Sequence, residues 1–296
     1  MSDSIRVRAF AKINLGLSIL GPRADGFHEI RTVFQSVALA DNLVVSLGRS
    51  SGRIELDCDD PAIPGDESNL VWRAAEAWRH ARHSHRRIHL QLAKRIPAGA
   101  GLGGGSSDAA ATLLALERLT GNHLPPSAGI EIAATLGSDV PFFLFGGRAL
   151  GCGRGEEIWP LEDLPPRRCL IAFPGFQVST AEAYHAFDSR LTPRAEGRKI
   201  LFIGARPHFT PQEWGPAEND FEDAVFARWP ELAKLKRQLI RAGAEIASLT
   251  GSGSAVSAIF TSARQMARAA RLVPAQTFST RTLGRAEVRR LMFPRQ

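Results

Sequence analysis

The chain has 296 residues, of which 44% are hydrophobic and 23% charged, a balance that excludes collagen-like repeats and wholesale disorder and is long enough for two domains. Its opening MSDSIRVRAFAKINLG lacks a basic segment followed by the apolar block of about 7 to 15 residues that marks a secretory signal, and no run reaches the roughly 18 apolar residues of a membrane span. A cytoplasmic protein without membrane contact is expected. Cys58, Cys152 and Cys169 lie far apart without CxxC spacing, so neither a disulfide framework nor a zinc site is indicated and they read as reduced thiols. The net charge of +7, with a basic cluster from Arg79 to Arg87, allows a polyanionic partner. That cluster has no interleaved aromatics for stacking on bases, so it reads as a solvated helix end and turn, and no nucleic-acid partner is expected.

In chain order, the first 57 residues read as β-rich, with strands at 5–10, 13–20, 32–39, 43–47 and 53–57 separated by turn signals, the clearest being Gly21 to Gly26. Leu70, Ala74, Ala77 and Trp78 recur at helical spacing over 69–80. A strand at 88–92 leads into a glycine-rich loop, followed by helices at 106–119 and about 127–136, the second stopping at Gly137. Residues 139–145 read as extended, and 156–166, rich in acid and proline, as a linker between domains 1–162 and 163–296. Beyond it the pattern predicts strand 168–173, helix 181–187, further helix over 221–242, strands 245–249 and 255–260, helix 262–272 and strand 276–283. That is the β-α-β-β-α-β order of a ferredoxin-like split βαβ unit, so the fold class is α+β.

The segment Pro97-Ala98-Gly99-Ala100-Gly101-Leu102-Gly103-Gly104-Gly105-Ser106-Ser107 places five glycines between a strand and a helix. Without Cβ atoms its amides can converge on an anion, and the helix start adds a partial positive charge, so the loop is suited to phosphate. One of Ser106 and Ser107 can cap the helix while the other reaches a phosphate oxygen or its magnesium ion. Gly99-x-Gly101-x-x-Gly104 matches a dinucleotide fingerprint, but the second strand ending in an acid is missing, and no Walker lysine or protein-kinase motif set is present.

Ala11-Lys12-Ile13-Asn14-Leu15, the loop Pro97 to Ser107, and Leu249-Thr250-Gly251-Ser252-Gly253-Ser254-Ala255 resemble in order and spacing the three motifs of the GHMP kinases, and the resemblance spans nearly the whole chain. Arg23 to His28 and Gly137 to Phe143 are similar to the branch that phosphorylates the 2-hydroxyl of a cytidine diphosphate derivative of methylerythritol in non-mevalonate isoprenoid synthesis. The resemblance implies a two-domain kinase, with an N-terminal domain like ribosomal protein S5 domain 2 and a ferredoxin-like C-terminal domain. It implies ATP and Mg2+ as cofactors and a small-molecule substrate; a monomer or weak homodimer is expected.

It also assigns roles to residues that read blandly alone. Asp139, by itself an Asx-turn residue, becomes the general base, and Lys12, by itself an outward lysine on a strand, its catalytic partner. Asn14 shares the strand face of Lys12 and would bind the acceptor. Phe27, where the family has tyrosine, His28 and Tyr184 would form the cytosine pocket, although surface exposure for His28 and core packing for Tyr184 are the ordinary readings. Thr180, Gly251 and Ser252 would contact substrate, and Asn69 either lines the adenine pocket or simply caps a helix. A homoserine- or mevalonate-type GHMP kinase and a non-catalytic nucleotide binder are the alternatives.

Overall fold

The computed structural model describes residues 3–121, 123–189 and 218–294. Two long strands, β1 (Asp3–Pro22) and β2 (His28–Ser51), pair antiparallel over nearly their whole length. Four shorter strands were expected here. The apparent breaks are register shifts at Phe10/Lys12, Asn14/Gly16 and Ile19/Gly21, where an extra residue kinks the ladder without ending it. β3 (Ile54–Cys58) pairs parallel to β4 (Arg86–Ala93) through the crossover helix α1 (Leu70–Ala81), and β4 runs antiparallel to β2.

α2 (Gly104–Thr120) follows the glycine loop and buries Ala109, Ala110, Ala111 and Ala115, whose small side chains favour helix and allow close approach to β1 and α1. After α3 (Pro126–Leu136), residues 140–145 form a helix, α4 (Val140–Phe145), and not the predicted extended segment. Pro141 is tolerated because it lies in the first turn, where its missing N–H has no partner to lose, and Phe142 and Phe143 are buried. β5 (Arg148–Cys152) joins β2, and β6 (Glu157–Pro160) takes an edge position on β5 within the stretch expected to be only linker. Pro160 fits there because an edge strand leaves one backbone side unpaired.

The second sheet has strand order β10-β7-β9-β8, all antiparallel, from β7 (Arg168–Phe173), β8 (Ile246–Leu249), β9 (Val256–Phe260) and β10 (Gln276–Arg281). With α5 (Thr180–Asp188) and α8 (Ala263–Leu272) this is the expected split βαβ. The single helix expected over 221–242 is two, α6 (Glu222–Arg228) and α7 (Pro230–Arg241), because Pro230 disfavours helical geometry at Trp229. A last helix, α9 (Arg285–Met292), was not foreseen; its Val288 and Met292 join the core formed by β1, β2, α1, α2 and α4.

Between the two sheets lies a separate apolar layer containing Ala11, Ile13 and Leu15 of β1, Ala100 and Leu102 of the glycine loop, and Ile171, Ala255 and Ile259 of the second sheet. Ala11, Ile13 and Leu15 of β1 therefore face this layer, which leaves Lys12 and Asn14 on the opposite face. Ile13 is fully buried in it. Ile13→Ala is expected to cost about 2–5 kcal/mol, measured by denaturant unfolding, since it opens a cavity between two sheets that cannot both collapse onto it. Unchanged stability would show that this layer is not tightly packed.

Candidate active site

Lys12 is 3% exposed, yet its ammonium is satisfied: Nζ donates to Asn14 Oδ1 at 2.8 Å and lies 3.3 Å from Asp139 Oδ2. The i and i+2 spacing on β1 brings lysine and asparagine together, as the strand period requires. Asn14 in turn donates from Nδ2 to Thr32 Oγ1 at 2.7 Å, and its Oδ1 lies 3.2 Å from Thr250 Oγ1. Asp139 sits at the start of α4 but makes no capping hydrogen bond, and its side chain keeps 29% exposure. The Asx-turn reading is thus excluded, and the carboxylate faces Lys12 at the wall of an open cleft of about 470 Å³.

The glycine loop forms another wall, with Pro97, Ala98, Gly99, Ala100, Gly101, Leu102, Gly103, Gly104, Gly105 and Ser106 all lining the cleft. Its backbone is held from both domains. Lys12 N donates to Leu102 O at 3.0 Å, and Ala255 N donates to Ala100 O at 3.2 Å. Gly101, at φ +75°, passes so close to the third loop that a Cβ would stand 2.0 Å from Thr250 O, so only glycine fits. Gly103, at φ +69°, precedes α2 and would press a Cβ into Phe143. Neither serine caps α2. Ser107 Oγ is turned inward and donates to Phe10 O at 2.7 Å, whereas Ser106 lines the cleft.

The third loop, between β8 and β9, is fixed by a residue that sequence reasoning missed. Asn219 Nδ2 donates to Leu249 O at 2.9 Å and to Gly251 O at 2.7 Å, while Asn219 forms an isolated bridge to Leu17 of β1. This places Gly251 so that a Cβ on it would be 3.4 Å from Lys12 Nζ, and it sets Ser252 Oγ 3.2 Å from Thr180 Oγ1 of α5. Thr180, Gly251 and Ser252 all line the cleft. Asn219 carries no motif signal, because its partners are backbone carbonyls distant in sequence.

Asn69 lines the same cleft but is occupied as the N-cap of α1, accepting from Val71 N at 2.9 Å and donating to Pro64 O at 2.8 Å. Tyr184 borders the cleft with Phe221, its ring edge-on at 4.8 Å. Burial, reinforced by the charges of Asp139 and Asp188, pushes its hydroxyl up to about 12. Phe27 and His28 do not line the cleft. His28 stacks on the cleft-lining Tyr184 at 4.5 Å and 13°, and Phe27, 52% exposed, lies under the guanidinium of the cleft-lining Arg154 at 4.8 Å. Arg154 itself lines the cleft and was not singled out from the sequence.

Beneath the glycine loop, Lys94 Nζ reaches Asp41 Oδ2 at 2.5 Å and Asp108 Oδ2 at 2.7 Å. Asp41 Oδ1 also accepts from Arg95 N and Ile96 N at 2.5 and 2.8 Å, so Asp41 anchors the entry to the loop and Lys94 ties that anchor to α2. Asp108 Oδ1 is buried without a partner. Two carboxylates share one ammonium here. Burial, opposed by Lys94 and reinforced by Asp41, pushes the Asp108 carboxyl up to about 8.

A carboxyl that holds its proton to about pH 8 when folded, but releases it near its ordinary 3.8 when unfolded, makes the folded state bind more protons between those values. Stability from this group is therefore lost as pH rises through that window. Asp108→Asn, which cannot ionise, is expected to gain stability relative to the native chain between pH 5 and 8, read as a widening difference in Tm across that range. A difference independent of pH would mean that Asp108 is already ionised in the folded protein.

This geometry agrees with what the chain is similar to. The model for the GHMP kinases N terminal domain matches residues 69–147, which include the glycine loop and Asp139, and that for GHMP kinases C terminal matches 210–276, which include the third loop. A protein of Solibacter usitatus named 4-diphosphocytidyl-2-C-methyl-D-erythritol kinase is 46% identical over 92% of this chain and 86% of its own length. One of the same name from Chlorobium phaeobacteroides is 43% identical over 90% of this chain and 93% of its own. A crystal structure of 4-(cytidine 5'-diphospho)-2C-methyl-D-erythritol kinase superposes with a TM-score of 0.74 at 35% identity, covering 95% of this chain and all of that one. The chain is a small-molecule kinase that belongs to the 4-diphosphocytidyl-2-C-methyl-D-erythritol kinase family of the GHMP kinases.

Proposed function

We propose that the chain transfers the γ-phosphoryl group of ATP to the 2-hydroxyl of 4-diphosphocytidyl-2-C-methyl-D-erythritol, with Asp139 as general base and Lys12 as its cationic partner. The observation that carries the reading is the Lys12 to Asp139 contact of 3.3 Å in a cleft walled by the glycine loop. Asp139 Oδ2 takes the hydroxyl proton as the acceptor oxygen bonds to the γ-phosphorus and the bond to the β-phosphate oxygen breaks. Lys12, held by Asn14, stabilises the negative charge developing on the oxygens during transfer. Asn14 acts through this hold as well as by any contact of its own with the acceptor.

The amides of the glycine loop and the start of α2 cradle the nucleotide phosphates, with Ser106 on the cleft wall beside them. Magnesium fits this site as an ion held chiefly by the nucleotide. Among the described residues no three His, Cys, Asp or Glu side chains cluster to hold a metal, and Mg2+ commonly keeps water and phosphate oxygens with only one or two protein groups, here Ser106. When bound it neutralises charge on the phosphate oxygens.

The base end of the substrate would extend past Tyr184 at the cleft wall to His28 and Phe27 beside it, an aromatic set that a homoserine or mevalonate kinase would not need. A cytoplasmic monomer or weak homodimer, with no nucleic-acid partner, completes the reading. Among the described residues no helix is long and apolar enough to cross a membrane.

Two measurements test it. An ADP-release assay is expected to give turnover with diphosphocytidyl-methylerythritol and little with homoserine or mevalonate; turnover confined to a base-free alcohol would overturn the assignment. Asp139→Asn, which keeps an acceptor for Lys12, is expected to lower kcat by about 10² to 10⁴ with ATP binding retained. Native turnover in that variant would remove Asp139 from the chemistry.

A further inference from the structure

We propose that Asp188 is a positioning residue that sets the tautomer of His28, and that it thereby makes the base site prefer cytosine to uracil. The inference deepens the cytidyl-substrate reading above and rests on it.

The observations come from one face of α5. Tyr184, Phe187 and Asp188 stand at i, i+3 and i+4, so all three side chains can address a single neighbour. That neighbour is His28, at the start of β2. Tyr184 stacks on its ring at 4.5 Å and 13°, Phe187 meets it edge-on at 6.4 Å and 88°, and Asp188 Oδ1 lies 2.8 Å from Nε2. Two aromatic rings fix the imidazole plane, and the carboxylate fixes its rotation within that plane. Asp188 is the last residue of its helix, where a negative charge opposes the helix dipole, so its placement costs energy locally and the contact with His28 offsets that cost.

A carboxylate can only accept, so Nε2 of the neutral ring must carry the hydrogen it receives. Nδ1 is then a lone-pair acceptor, and among the described residues it has no hydrogen-bond partner. Cytosine presents an exocyclic amino group, a donor, on the edge where uracil presents a carbonyl, an acceptor. An acceptor at Nδ1 pairs with the first and faces the second lone pair to lone pair. Without Asp188 the other tautomer, with its hydrogen on Nδ1, becomes accessible and would accommodate the uracil carbonyl. Asp188 itself touches neither substrate nor nucleotide in this scheme.

Asp188 is 47% exposed, so its replacement leaves the core intact. The test compares native enzyme with Asp188→Ala at pH 8, above the ordinary imidazole range, using the diphosphocytidyl substrate and its diphosphouridyl counterpart. The cytidyl-to-uridyl ratio of kcat/KM is expected to fall about 10-fold, the equivalent of one charge-assisted hydrogen bond, chiefly because the uridyl compound gains, while KM for ATP stays within about two-fold. Long-range 1H–15N spectra of the His28 ring, assigned by the signal lost in His28→Gln, should show hydrogen on Nε2 in the native chain and an admixture of the Nδ1 form in Asp188→Ala. An unchanged ratio in Asp188→Ala, or a native ring protonated on Nδ1, overturns the inference. Absence of turnover with the cytidyl compound in the native enzyme would instead overturn the substrate reading, and the spectra would still judge the tautomer.

Discussion

The burial of the Lys12 ammonium is the constraint on which the rest of the site depends. A charged amine taken out of water is costly unless it is paired and hydrogen-bonded, and here Asn14 supplies an acceptor and Asp139 the counter-charge. Each of those acceptors is placed by a different part of the chain: Asn14 by the strand period of β1, Asp139 by the start of α4, with Thr32 of β2 and Thr250 of the third loop holding Asn14 in turn. Loss of any one of these supports leaves a buried charge poorly paired. The pairing of Lys12 with Asp139 thus depends on how the first sheet and the third loop meet.

The glycine loop follows the same logic. Its glycines are required less by abstract flexibility than by crowding, since the loop is pinched between Phe143 and Lys12 on one side and Thr250 on the other. The anchors that keep it open to phosphate lie below it, in the triad of Lys94, Asp41 and Asp108. A buried site with two carboxylates and one ammonium resists becoming fully charged, which gives the phosphate loop a foundation whose charge state responds to pH.

The region proposed to meet the base is built differently, on a partly exposed helix and not in the core. Tyr184 and His28 stack on each other, Phe27 lies under Arg154, and α5 contributes three contacts to one histidine. Partly exposed groups of this kind suit the proposed base subsite, whereas the glycine loop is crowded and rests on buried ion pairs, as the proposed transfer would require.

Much of this was legible in the sequence alone. The glycine loop stood out because five glycines between strand and helix leave backbone amides free to converge on an anion, and the pairing of Lys12 with Asn14 followed from the two-residue strand period. The ferredoxin-like order of the second half followed from alternating hydrophobic patterns. What the sequence could not determine were interactions between residues close in space but remote along the chain. Asn219 on the third loop, Lys94 on two aspartates, and Asp188 on His28 are each ordinary polar residues by local pattern, and they acquire roles only when strands and helices bring their partners within hydrogen-bond reach. The helix at 140–145 belongs to the same class: proline and consecutive aromatics favour extension locally, and burial of Phe142 and Phe143 against the first core decided otherwise. Local propensity is worth tenths of a kcal/mol per residue, roughly, and burying an aromatic side chain is worth several times more, so only the tertiary structure could decide between them.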